Sequence, residues 1–95
     1  MEDVTMNKAV ISVVGKDSVG IIAGVCNYLA KENINILDIS QTIVKEYFNM
    51  MMIVDVTNIK QNFTDIAHEL EVIGVEIGVN IKCQRSEIFD SMHRL

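Results

Sequence analysis

Apolar residues change their spacing repeatedly along this chain, and each change marks the start of a new element. Residues 8–14, Lys-Ala-Val-Ile-Ser-Val-Val, form a β-branched run ending at Gly15, which predicts a strand buried on both faces and central in its sheet. From Ser18 the period lengthens to that of a helix, with Ile22, Val25, Cys26 and Leu29 on one stripe and Val19, Ile21 and Ala30 widening it. Asp17 stands where this helix needs an N-cap, and Gly20 and Gly24, one turn apart, predict a close approach to neighbouring elements. Asn33 tolerates the left-handed conformation that ends a helix. Residues 34–44 then read as a long strand interrupted by polar residues at 35, 38, 40, 41 and 42, which suits a sheet edge. Lys45-Glu46-Tyr47 is the most polar break before a third strand over 48–56, so 34–56 forms a hairpin.

The second half repeats the alternation of periods. From Gln61, residues Phe63, Ile66, Ala67, Leu70 and Ile73 share one helical face, and Gly74 predicts the helix end. Residues 75–83 alternate strictly, apolar on odd numbers, predicting a strand with one buried and one wet face. Behind Ser86, the positions of Ile88, Phe89, Met92 and Leu95 predict a short amphipathic helix over 86–95 that packs on the domain or on a partner. The order strand, helix, strand, strand, helix, strand is the split βαβ pattern, and right-handed crossovers leave few other topologies. The expected fold is α+β: a ferredoxin-like βαββαβ sandwich, its four antiparallel strands in order 4-1-3-2 and both helices on one face. Residues 1–95 read as one domain with a core over about 7–84. Apolar residues of both parities in the first three strands leave too much of the other face wet, so a homodimer is expected.

Composition narrows the function more than the fold. With 49% hydrophobic and 22% charged residues the chain can build a core, and 5% aromatic residues without Trp make that core aliphatic. A net charge of −5 and a pI near 4.8 oppose nucleic acid and anionic membranes, and the basic residues are scattered singly. Cys26 and Cys83 lie far apart inside apolar patterns and read as reduced core thiols of a cytoplasmic protein. The acidic start Met1-Glu2-Asp3 and the short first apolar run predict neither a signal peptide nor a membrane span. His68 and His93 lack Cys or carboxylate partners at ligand spacing, and Met50-Met51-Met52 reads as core or interface filler, so no metal or cofactor is expected.

The chemistry concentrates at Gly15-Lys16-Asp17-Ser18-Val19-Gly20, between the first strand and the first helix. Two glycines around a carboxylate give a turn with exposed backbone amides, able to grip a small polar molecule. No catalytic constellation accompanies it. An acylphosphatase-like enzyme on this fold would need Arg in that loop, where Lys16 stands beside Asp17 instead, and a metal chaperone would need Cys-x-x-Cys. An RNA-recognition domain would need aromatic side chains on strands one and three, and strand one has none.

Gly15-x-Asp17-x-x-Gly20-Ile21 after the first strand, and Asn33-Ile34-Asn35-Ile36 entering the second, resemble the ACT domain over nearly the whole chain. Asp38-Ile39-Ser40-Gln41-Thr42-Ile43 and the tail Ile88-Phe89-Asp90-Ser91-Met92-His93-Arg94 are most similar to stand-alone bacterial and archaeal members of unassigned function, the UPF0237-like group. The resemblance implies a sensor for a small molecule, usually an amino acid, held between the strand-one loop of one domain and the start of strand two of its partner. Asp17 would take the ligand's amino group, amides near Gly15 and Gly20 its carboxylate, and Asn35 would close the site. The candidate set is therefore Gly15, Lys16, Asp17, Ser18 and Gly20 from the loop, with Asn35, Ile36 and Asp38 from the second strand. The family often has Pro where this chain has Val19, which makes the loop less rigid here. With no enzyme attached, regulation would act in trans on a partner protein. The rival expectation is a pure interaction module that binds a regulated protein without any small ligand.

Overall fold

The computed structural model describes residues 7–16 and 19–85. Along the chain run β1 (Lys8–Lys16), α1 (Ile21–Lys31), β2 (Asn35–Val44), β3 (Tyr47–Asp55), α2 (Phe63–Ile77) and β4 (Val79–Arg85). The strands form one antiparallel sheet in the order β2-β3-β1-β4. This is the expected ferredoxin-like topology, with β1 inside and the polar-interleaved β2 at an edge. The expected helix over 86–95 lies outside the described residues.

Alternation along each strand splits the sheet into two faces. Ala9, Ile11 and Val13 of β1, Phe48, Met50, Met52 and Val54 of β3, and Val79 and Ile81 of β4 point to one side and are buried. They meet Ile21, Val25, Tyr28 and Leu29 of α1 and Ile66 and Leu70 of α2, which closes the core. Among the described residues no helix lies on the opposite face of the sheet, so β1 is not covered equally on both sides: Val13 is fully buried while its neighbour Val14 is half-exposed.

Four local expectations are corrected by tertiary contacts. The strand does not stop at Val14; Gly15 and Lys16 stay in β1 because they pair with Phe48 and Tyr47 of β3. Gly20, left-handed at φ 92°, caps α1, with no side-chain capping bond, so Asp17 is not the N-cap residue. The buried stripe of α1 is Ile21, Val25, Tyr28 and Leu29, rotated from the expected one, and leaves Ile22, Ala30 and Val19 exposed. Gly74 does not end α2, which continues to Ile77 and stops at Gly78, left-handed at φ 83°. Residues 75–77 are consequently helical and β4 starts at Val79, keeping the predicted odd-number burial from there on.

The close approaches also fall on other glycines than expected. A Cβ on Gly20 would meet nothing within 4 Å, whereas one on Gly15 would lie 2.8 Å from the Val79 side chain and one on Gly74 would lie 2.7 Å from the Val79 carbonyl oxygen. These two glycines let β4 run close to β1 and α2. The expected turn at Asn33 holds, with φ 65° after α1, and the β2–β3 hairpin falls at the expected polar break, where Lys45 takes φ 59°.

Candidate ligand-binding site

Strand direction decides which candidate residues can meet. β1 and β2 each run antiparallel to the strand between them, β3, so they point the same way. Gly15 and Lys16 finish β1 beside Phe48 and Tyr47, at the hairpin end of the sheet. Asn35 and Ile36 begin β2 beside Asp55 and Val54, at the end where Lys8 starts β1. Eight residues of extended chain separate Lys8 from Lys16, a distance of about 26 Å. One chain therefore does not bring the two halves of the candidate site together. Asp17 and Ser18 lie outside the described residues.

The loop half is built from backbone. Gly15 is dictated by packing, since any side chain would strike Val79. Gly20 is dictated by conformation, because its left-handed φ turns the chain into α1. Its carbonyl accepts from Gly24 N at 2.9 Å, closing the first helical turn. No acidic residue occupies the first turn of α1 and Gly20 offers it no side-chain cap, so among the described residues no side chain takes up the amides at the positive end of the helix.

The strand half is irregular. The β2–β3 register slips between Ile36 and Asp38, which puts a bulge at Leu37 and turns Asp38 to the open face opposite Ile53. Asp38 Oδ1 accepts from the Ile39 amide at 2.9 Å, which fixes the carboxylate against its own backbone. Beside it, Asp38, Ile39, Ser40, Met51 and Ile53 line a shallow depression. Ser40, Met51 and Ile53 were not candidates from sequence. The available signal was parity: Met51 and Ile53 are apolar on the side of β3 that faces away from the core.

Among the described residues, the ionisable groups with displaced pKa values lie away from this loop. Asp55, at the end of β3, is held below its ordinary value by hydrogen bonds from Thr57 Oγ1 at 2.5 Å and Thr57 N at 2.9 Å. Between the helices, burial and the Glu69 carboxylate that its hydroxyl contacts at 2.5 Å raise the Tyr28 phenol, and that bond lowers Glu69 in turn. Gln61 Nε2 donates to the same Glu69 oxygen at 3.0 Å. Burial pushes the Cys83 thiol up to about 11. The Tyr28–Glu69 bond is a structural tie between α1 and α2. Among the described residues no group of three or more His, Cys, Asp or Glu could hold a metal ion, and no helix is long and apolar enough to cross a membrane.

A ferredoxin-like antiparallel sandwich with a glycine-built loop after its first strand defines the class of protein. Residues 7–84 match the ACT domain family, and the chain belongs to it. A UPF0237 protein of Bifidobacterium longum is 60% identical over 90 residues, covering 95% of this chain and all of that one. A UPF0237 protein of the archaeon Methanocaldococcus jannaschii is 48% identical over the same shares. Among solved structures, an ACT domain protein from Streptococcus pneumoniae superposes with a TM-score of 0.77 at 47% identity, covering 87% of this chain and 93% of that one. The regulatory subunit of aspartate kinase from Thermus thermophilus matches with a TM-score of 0.63 at 26% identity, covering 82% of this chain and 51% of that subunit. ACT domains are regulatory modules, and this chain is a regulatory domain by family.

Proposed function

We propose that this chain is a cytoplasmic sensor that binds an amino acid or similar small acid as a homodimer and regulates a partner protein in trans. The observation that carries the reading is the 26 Å gap, estimated from strand rise, between the two halves of the candidate site within one chain. Antiparallel pairing of β2 with the β2 edge of a second copy reverses the second chain. The partner's Asn35 and Ile36 then arrive at the end of the sheet that carries Gly15 to Gly20. The edge suits such pairing, because Ile39 and Ile43 of β2 point to the helix side and yet are about half exposed. Asp17 is assigned the ligand's ammonium group, and the amides at the start of α1 its carboxylate. Lys16, Ser18 and Asp38 complete the polar surround.

A thermal-shift panel of the twenty amino acids and common purines at millimolar concentration tests this. Ligand linkage stabilises by RT ln(1 + [L]/Kd), about 2.7 kcal/mol at one hundred times Kd, so even weak binders register. At least one amino acid is expected to raise Tm, and Asp17→Ala to abolish the rise. A panel without any shift would refute ligand sensing. It would favour the rival interaction module, which the exposed Ile43, Val44 and Tyr47 around the hairpin support.

A further inference from the structure

The face of the sheet opposite the helices carries an apolar centre between two flanks of opposite charge. Val10 and Val14 of β1 and Met51 and Ile53 of β3 form the centre; Val14 is 49% exposed, Met51 42% and Ile53 36%. On the β2 flank stands Asp38, directly across from Ile53, beside the depression described above. On the β4 flank stands Lys82, exposed and directly across from Ser12, which in turn faces Met51.

We propose that this face is a second self-association surface, closed by the same face of another copy about a two-fold axis parallel to the strands. That axis exchanges the flanks, so the partner's β4 lies over β2 while the apolar centres meet. The partner's Lys82 then stands about 7 Å along the strand from Asp38 and about 10 Å across the gap between sheets, a separation that extended lysine and aspartate side chains close. The depression beside Asp38 receives the lysine stem, and symmetry makes the contact twice. A two-fold axis in the sheet plane but across the strands, centred on the Met51 row, would instead set Lys82 against the partner's Lys82 and leave Asp38 over the partner's Thr42. Charge thus selects the axis along the strands. Four strands about 4.8 Å apart and about nine residues long project about 600 Å², close to the roughly 800 Å² per partner of a standard interface once side-chain relief is added.

This surface shares Asp38 with the ligand site proposed above but lies on the sheet face and not on the β2 edge, and the two contacts together make a dimer of dimers. Sedimentation of the full chain at tens of micromolar, with circular dichroism to confirm folding, separates them. The expected wild-type mass is four times the 10.7 kDa of one chain, and Met51→Glu should halve it. Lys82→Asp and Asp38→Lys should each weaken the face contact about 30-fold, and the double exchange should restore it to within about threefold. A wild-type dimer that Met51→Glu converts to monomer would support the face contact and overturn the edge pairing. A dimer insensitive to Met51→Glu and to both charge reversals, or a monomer, would overturn the face proposal. So would single reversals that the double exchange fails to rescue.

Discussion

Gly74→Ala separates two physical accounts of the same residue. In an isolated helix the change would be favourable, since alanine is better than glycine in a helix interior by about 1 kcal/mol. Gly74, however, lies inside α2 where β4 crosses it. The new Cβ would sit 2.7 Å from the Val79 carbonyl oxygen, 3.0 Å from Ile81 Cγ1 and 3.3 Å from the Ile81 amide nitrogen. Two of these three atoms are backbone of a paired strand, so relief requires the helix and sheet to separate by roughly half an ångström or more, at an overpacking cost of about 1–3 kcal/mol. After subtracting the helix gain, the net loss is up to about 2 kcal/mol, or a fall in Tm of up to roughly 15 °C for a domain of this size. Gly24→Ala is the internal control, because its Cβ would meet only the tip of the Ile77 side chain at 3.4 Å. It should raise Tm by a few degrees. Scanning calorimetry of both variants decides the matter: a Gly74→Ala protein more stable than wild type, as the bare helix preference demands, would refute the close-packing account.

Two further outcomes follow from buried ionisable groups. Glu32 is buried at the C-cap of α1, and its Oε1 has no hydrogen-bond partner among the described residues. A carboxylate there is unfavourable both for lack of a partner and for lying at the negative end of the helix, so Glu32→Met should stabilise by about 1 kcal/mol in a urea titration; a loss of stability would mean the carboxylate has an unrecognised role. Cys83 has a folded-state pKa raised by burial from 9.0 to about 11, so its contribution is fully present below pH 9 and is lost as pH rises through 11. Iodoacetamide at pH 8 should therefore label Cys83 far more slowly in the folded protein than in urea, and equal rates in the two states would contradict the burial.

The sequence by itself determined the architecture. Period-two runs and period-3.6 runs in the order strand, helix, strand, strand, helix, strand admit few right-handed topologies, and polar interleaving identified β2 as the edge. Local chemistry also sufficed at Asn33, whose left-handed turn follows from a short-range signal, whereas the left-handed Lys45 does not. It failed where two residues offered the same local preference. Gly74 and Gly78 both suit a helix end, and only the passage of β4 assigns Gly74 to close packing and Gly78 to the cap. Ile21 and Ile22 both fit an apolar stripe, and the packing of α1 on the sheet buries the one containing Ile21, Val25, Tyr28 and Leu29. The glycine-rich loop was legible as a candidate, and the resemblance already set Asn35 on the partner chain; how far apart the two lie within one chain waited on strand register, which belongs to the sheet as a whole. Likewise, parity alone revealed surplus apolar residues on the strands. The tertiary structure gathered them on one open face and set Asp38 and Lys82 on its opposite flanks, because register fixes neighbours that no local pattern encodes.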